Sequence, residues 1–328
     1  MTSNTINAAI MILTQNNIQR KVYLKTTLYF LFKNFNEIYK YPIIILHEGD
    51  YKERDIEEII KSIRGNENRN LIKFKKIEKQ HFTVPEHINL DKLSKSVNTQ
   101  IVPYWRNIKY RTMCNFWLQH FTKYCSEYEY VMRLDDDSFI EEPLINDLFK
   151  ICKDSDANYM SNIAHIDCGI CNYGMKELFT EIFPDKKDNL NNLFINADLK
   201  NNMEVYNKFK NLYKIINETD YDESNTTISM PIIYYNNFFI TKVSFWEQQA
   251  VKDVIKKIDE SGNIFYYRYG DAPLQTLIMS LFSADKIIRT VFKYSKRLQR
   301  ECFIDLDNNI HSYMPGDYDK TSCIFDKK

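Results

Sequence analysis

Tyr130-Val131-Met132-Arg133-Leu134-Asp135-Asp136-Asp137-Ser138-Phe139 runs an apolar strand straight into three consecutive carboxylates, and Phe139 follows. Like charges repel, so a folded chain gathers carboxylates mainly where a cation neutralises them. Oxygen ligands on alternate residues at a strand end, here Asp135 and Asp137, can hold Mn²⁺ or Mg²⁺ and leave positions open for a diphosphate. The competing reading is a solvated acidic turn after a buried strand. Three acidic residues alone do not separate the two.

Upstream, the chain has the rhythm of a parallel α/β sheet. Ala8–Leu13 is a continuous apolar strand. Residues 18–36 carry apolar side chains at helical spacing (Val22, Leu24, Leu28, Leu31, Phe32). A second apolar run, 42–47, ends at His47-Glu48. A helix over 55–63 and a strand over 71–75 follow, and strand–helix alternation of this kind predicts parallel pairing. Residues 80–106, with Pro85 and Pro103, read as loop, and 107–124 as a helix leading into the acidic strand. Downstream the order changes. We expect a helix over 142–152, strand and turn over 155–172 and an Asn- and Lys-rich stretch with helices over 184–228. An aromatic β-prone run over 231–241 comes next, then helices over 245–260 and 273–282 and a polar, irregular tail from Arg300. In open α/β sheets ligands sit at the carboxyl ends of strands, which is where Glu48 and the acidic triplet fall.

Composition narrows the classes. The 328 residues suit one large α/β domain or two smaller ones, and 44 Lys+Arg balance 44 Asp+Glu, so nothing suggests a nucleic-acid partner. Aromatic content of 14% is too high for disorder. Only 7 glycines are present, and neither GxxxxGK[ST] nor GxGxxG occurs, which removes P-loop and dinucleotide-binding readings. The odd count of 7 cysteines is no disulfide framework, and Cys168-Gly169-Ile170-Cys171 has no second pair to complete a zinc site. No signal peptide or transmembrane segment is readable, so the expectation is a soluble chain, cytoplasmic rather than luminal.

Four segments in order resemble the fungal α-1,2-mannosyltransferases of glycosyltransferase family 15. They are the opening strand, helix and Tyr41–Leu46 strand; Tyr110-Arg111-Thr112-Met113-Cys114-Asn115-Phe116; Met132–Asp137; and Phe265-Tyr266-Tyr267-Arg268-Tyr269-Gly270-Asp271-Ala272-Pro273. The likeness runs over residues 8–295. It implies a single GT-A-like domain over 1–328, with a nucleotide-sugar half (1–140), an acceptor half (141–300) and a tail (301–328). It also implies a nucleoside-diphosphate sugar donor (GDP-mannose first, a UDP-sugar second), a glycan or glycoconjugate acceptor, retention of the α configuration, and Mn²⁺ or Mg²⁺ at Asp135 and Asp137.

The resemblance further implies Tyr110 beside the donor sugar and Arg111 near the nucleotide, with Asp136 in the place of a family proline and counted among the nucleotide-binding residues. The residues themselves offer Asp271 as the group that holds or deprotonates the acceptor hydroxyl and Glu48 as a nucleotide contact. Asp271 also reads as a helix N-cap, and Glu48 as a surface residue. Two departures stand out. The family's Asn-Phe-Glu-Ile becomes Asn237-Phe238-Phe239-Ile240, and a phenyl ring is neither nucleophile nor base. The family's metal-binding His falls at or near Lys296, an ammonium that neutralises a diphosphate but does not ligate a cation. His311 is the substitute histidine to consider. Residues 160–228 match poorly, which leaves the acceptor open. These departures motivate a second reading, a catalytically inactive GT-A-fold binding or scaffold protein. A two-carboxylate glycoside hydrolase is a third, to which nothing in the spacing points.

Overall fold

The computed structural model describes residues 6–103 and 105–296, and the backbone of two later strands. In chain order the strands are β1 (Ala8–Leu13), β2 (Ile43–His47), β3 (Ile72–Lys76), β4 (Tyr130–Leu134) and β5 (Ser138–Ile140). There follow β6 (Tyr159–Ser161), β7 (Ala164–Ile166), β8 (Phe194–Asp198), β9 (Thr227–Tyr234) and β10 (Phe238–Lys242). The last four are β11 (Ile287–Arg289), β12 (Tyr294–Lys296), β13 (Glu301–Ile304) and β14 (Ile310–Tyr313).

The central sheet has the order β11-β6-β10-β4-β1-β2-β3. β1 pairs in parallel with β2 and β4, β2 with β3, and β6 with β11. β10 is reversed and closes the sheet between β4 and β6. The strands read as unbroken apolar runs because helices cover both faces. Period two sends Ala9, Met11, Ile44, Leu46, Val131 and Phe239 into one core. Ala8, Ile10, Ile12, Ile43, Ile45, Met132 and Ile240 enter the other. A second sheet, β14-β13-β7-β9-β8, stands beside the first, and β12 pairs with β5 in a two-stranded ladder. Among the described residues no helix is long and apolar enough to cross a membrane.

Most expected elements are present, with four differences. Residues 80–106 contain a helix, Leu90–Asn98, which the flanking prolines obscured; the Asn89 side chain caps it by accepting from the Lys92 N–H. The helix expected over 142–152 begins later, at Leu148, where Asp147 is the cap. The Asn-rich stretch holds a strand, β8, paired with β9. The tail beyond Arg300 is not irregular throughout: β13 and β14 form a hairpin, and β13 joins β7.

Ile10 sits mid-sheet, fully buried, between Ile43 and Met132. We expect Ile10→Ala to lower the unfolding free energy by about 3 kcal/mol. Guanidinium denaturation measures this, and a loss under about 1 kcal/mol would contradict the packing described.

Candidate active site

Where β4 ends, the Asp135 carbonyl accepts the Ser138 N–H at 3.1 Å, turning the chain tightly into β5. The Asp135 N–H donates to the Asn237 carbonyl at 2.9 Å, so the turn is pinned to the start of β10. Side-chain alternation then splits the triplet between two neighbourhoods.

Arg133 and Asp135 share one face. Arg133 Nε donates to Asp135 Oδ1 at 3.0 Å, and Nη1 reaches Asp271 Oδ2 at 2.5 Å. The guanidinium lies over the Trp117 ring, 4.2 Å from its centroid, which covers it without competing for its donors. Asp271 is the first residue of the Asp271–Ser283 helix, with Gly270 at the cap. The N-cap reading of Asp271 is thus displaced by one residue. Its carboxylate accepts instead from Arg133 and from Asn236 Nδ2 at 2.7 Å, and Asn236 also reaches Gln275 Oε1.

Asp136 points the other way, toward the Ile18–Leu31 helix. It accepts from Thr14 Oγ1 at 2.7 Å, and its Oδ1 lies 3.2 Å from Arg20 Nη1. Burial pushes this carboxyl up to about 7, against the pull of Arg20 and with the push of Asp137. Asp137 pairs with the same Arg20 Nη1 at 3.1 Å.

Lys296 closes the arrangement. β12 lays Lys296 opposite Ser138 of β5, immediately after the triplet. Its Nζ sits 2.5 Å from Asp135 Oδ2 and 3.4 Å from Asp137 Oδ1. Burial alone would lower its pKa, but the two carboxylates outweigh that and raise it. For Asp135 burial works upward, and Arg133 and Lys296 overcome it, holding the carboxyl down at about 2. Three carboxylates therefore face three cationic side chains, Arg20, Arg133 and Lys296.

This donor set does not fit a divalent cation. Such an ion takes oxygen ligands with open lone pairs at about 2.0–2.6 Å. Here Asp137 Oδ1 is buried without a hydrogen-bond donor and has only the Lys296 ammonium, 3.4 Å away, beside it, while every other carboxylate oxygen of the triplet has a closer donor or cation. The place between Asp135 and Asp137 is held by an ammonium.

The remaining expected residues are distributed around this centre. Tyr110 lies on the Ile108–Gln119 helix within reach of the charge of Asp271, with the Arg268 guanidinium 5.7 Å from its ring centroid. Burial raises the pKa of its hydroxyl. Glu48 forms an ion pair with Lys109 at 2.7 Å, fastening the end of β2 to that helix, and it does not join the triplet. Arg111 is also elsewhere. Fully buried against Trp105, it donates to the backbone carbonyls of Phe265, Tyr266 and Trp105. Burial and the nearby Arg268 charge lower its pKa to about 9. Phe239 stacks on Tyr159 with centroids 5.2 Å apart, inside the core and alongside Arg133. His311 is in β14, and its side chain lies outside the described residues.

Sequence reasoning gave no role to Thr14, Arg20, Arg133, Trp117 or Asn236. Arg133 carried a usable signal: a cation inside an otherwise apolar buried strand must be paired. Arg20 carried none, because a basic residue in a first helical turn is ordinarily a surface group. Arg268 was quoted only as part of a motif. It has φ of 61°, is buried, and its Nε and Nη2 have no hydrogen-bond partner among the described residues. Asp167 Oδ2 lies 3.7 Å from Nη2, and the Cys168 and Cys171 thiols are close enough to act on its charge. The CxxC thiols therefore stand beside this guanidinium, and the hydrogen bond from Cys171 lowers the Cys168 pKa to about 7.

Comparison with known proteins bears on this geometry. The family model described as Glycolipid 2-alpha-mannosyltransferase matches residues 2–311. The O-glycoside alpha-1,2-mannosyltransferase omh1 of Schizosaccharomyces pombe is 26% identical over 283 residues, covering 85% of this chain and 65% of that protein. Glycolipid 2-alpha-mannosyltransferase 1 of Candida albicans is 23% identical, covering 76% of this chain and 52% of its own length. The chain thus spans between half and two thirds of these relatives. Among solved structures, the mannosyltransferase Ktr4p of Saccharomyces cerevisiae in complex with GDP superposes with a TM-score of 0.72 at 16% identity, covering 97% of this chain and 79% of that one. Core-mannan synthase A of Aspergillus fumigatus in its Mn/GDP form gives 0.69 at 18%, covering 90% and 76%. These likenesses establish the GT-A-like fold expected from the sequence.

Arg133→Met would leave Asp271 buried without a cation and Asp135 with Lys296 alone. We expect a loss of about 3–5 kcal/mol in unfolding free energy, of which adding Asp271→Asn recovers at least about 1 kcal/mol. Denaturation of the two single variants and the double variant forms the cycle. Strict additivity would show that Arg133 and Asp271 are not coupled.

Proposed function

The chain belongs to the glycolipid 2-alpha-mannosyltransferase family, and from that membership and the site we propose that it transfers a hexosyl group, mannose from GDP-mannose, to a hydroxyl of a glycan or glycoconjugate. The α-1,2 linkage follows the names of its relatives, and retention of the α configuration follows the family resemblance read from the sequence. The observation that carries this reading is the Asp135–Arg133–Asp271 chain of contacts. It joins the strand end suited to a diphosphate to a helix-start carboxylate suited to an acceptor hydroxyl.

The reaction is written through the chain's own residues. The bond from the sugar anomeric carbon to the diphosphate oxygen breaks, and the electron pair leaves with GDP. The acceptor oxygen bonds to the same face of that carbon. Its proton passes to the departing diphosphate oxygen, since Phe239 supplies no carboxylate there. Lys296 and Arg20 neutralise the charge growing on the leaving group. Asp271, held by Arg133 and Asn236, orients the acceptor hydroxyl. Tyr110 borders the same space; residues 1–140 supply the donor side together with Lys296, and the rest of 141–300 supplies the acceptor side.

Incubating the chain with GDP-mannose, or in parallel with UDP-sugars, and an α-mannoside acceptor tests the proposal by NMR of the product. The expected result is an α-linked disaccharide from GDP-mannose. Asp271→Asn is expected to lower kcat by about 100-fold or more while GDP binding is kept. The second reading, an inactive nucleotide-binding scaffold, is favoured by Phe239 in the place of the family Glu. It would be indicated by GDP binding without product from any donor.

A further inference from the structure

The relatives' fold comes to this chain with an unusual charge at its centre. One structural neighbour is known in an Mn/GDP form; here the acidic strand end holds a lysine ammonium between Asp135 Oδ2 at 2.5 Å and Asp137 Oδ1 at 3.4 Å. Backbone pairing fixes that lysine in place. β12 runs antiparallel to β5 with Tyr294 opposite Ile140, Ser295 opposite Phe139 and Lys296 opposite Ser138. Ser295 adds a hydrogen bond to Glu141 at 2.5 Å. The Lys296 side chain is only 10% exposed, so its head has little freedom to swing into solvent and vacate the position.

We propose that this chain has exchanged the divalent cation for its own side chains: Lys296, seated between Asp135 and Asp137 and backed by Arg20, binds the diphosphate of a nucleotide directly, so that nucleotide binding needs no metal. The inference rests on the nucleotide-sugar reading of the site.

The chemistry of the groups supports the exchange. An ammonium has three donors; Asp135 engages one of them, Asp137 Oδ1 lies 3.4 Å away as an ion-pair partner without a hydrogen bond, and donors remain for a phosphate oxygen. Arg20 spans Asp136 and Asp137 through a single nitrogen, Nη1, and its side chain stays 35% exposed, with the rest of the fork available to a second oxygen. The carboxylates change role accordingly. They do not ligate an ion; they hold two cations at fixed positions, which spares the nucleotide the cost of ordering them. A divalent ion at the same two oxygens would have to displace Lys296. The displaced ammonium would then lie close to Arg133 and Arg20, whose carboxylates are already engaged.

The test is titration calorimetry of the full chain with GDP, first in EDTA and then in excess MnCl2. The expected result is a Kd that agrees within about threefold between the two conditions, roughly half a decade of affinity. Adding the chain with GDP to Mn²⁺ should remove no more of the free-ion EPR signal than GDP alone removes. Lys296→Met is expected to weaken GDP binding by at least about tenfold in EDTA. Lys296→His, which restores a metal-ligating side chain, is expected to make binding rise with Mn²⁺. Wild-type binding that is lost in EDTA and restored by Mn²⁺ would overturn the inference, even if both variants failed to fold. No GDP binding in either condition would overturn the nucleotide reading first, and this inference with it, so the two failures look different.

Discussion

Three carboxylates in a row at the end of a buried strand cannot be tolerated in a folded chain without compensation, and the way they are compensated organises the molecule. An uncompensated buried charge costs several kcal/mol, comparable with the whole stability of an ordinary domain. Arg133, Arg20 and Lys296 meet that demand from three separate parts of the chain. The acidic turn is therefore where the β4 strand, the Ile18–Leu31 helix and the C-terminal β12 strand are obliged to meet. Packing of the two apolar cores brings the elements near one another; charge pairing sets their register at the strand end.

The same logic explains why the aromatic substitutions sit where they do. Phe239 lies opposite Arg133 in the ladder and contributes its ring to the core with Tyr159 and Trp117. A carboxylate on this strand position would need its own cation. The guanidinium of Arg133 has already divided its donors between Asp135 and Asp271, with Trp117 beneath it. The site as built has a neutral floor and a charged rim, an arrangement in which positioning and electrostatics do more than covalent participation could.

The parallel half of the fold was legible because its strands are continuous apolar runs with clear ends. Ala8–Leu13 and Ile43–His47 lie where the pattern puts them, and the acidic triplet marks the end of β4 without ambiguity. The Leu90–Asn98 helix was less visible, since it is short and lies between prolines, although Asn89 is an ordinary cap in hindsight. β8 and the late hairpin draw their stability from pairing partners far along the chain, and local composition carries little of that. Within the site, Asp135, Asp137, Lys296 and, through Arg133, Asp271 are brought together, while Asp136 turns away toward Thr14 and Arg20. Arg111 does not, because a helical arginine in a motif looks the same whether it faces a ligand or, as here, the carbonyls of Phe265 and Tyr266. Thr14 and Arg20 were not visible: their importance is created by a turn more than a hundred residues away.

The reversed strand β10 has a consequence for how the chain comes to be folded. β1, β2, β3 and β4 are consecutive in the chain and can pair as soon as they exist, but the free edge of β4 is covered only when β10 arrives, roughly 100 residues later. At ordinary rates of synthesis that interval is on the order of ten seconds. During it a strand apolar but for Arg133 presents unpaired N–H and C=O groups, and the carboxylates beyond it still lack Lys296. Until β12 comes in, repulsion within Asp135-Asp136-Asp137 makes that edge a poor template for other chains. The charge cluster that later serves the site can thus act, during synthesis, as a guard against misassembly.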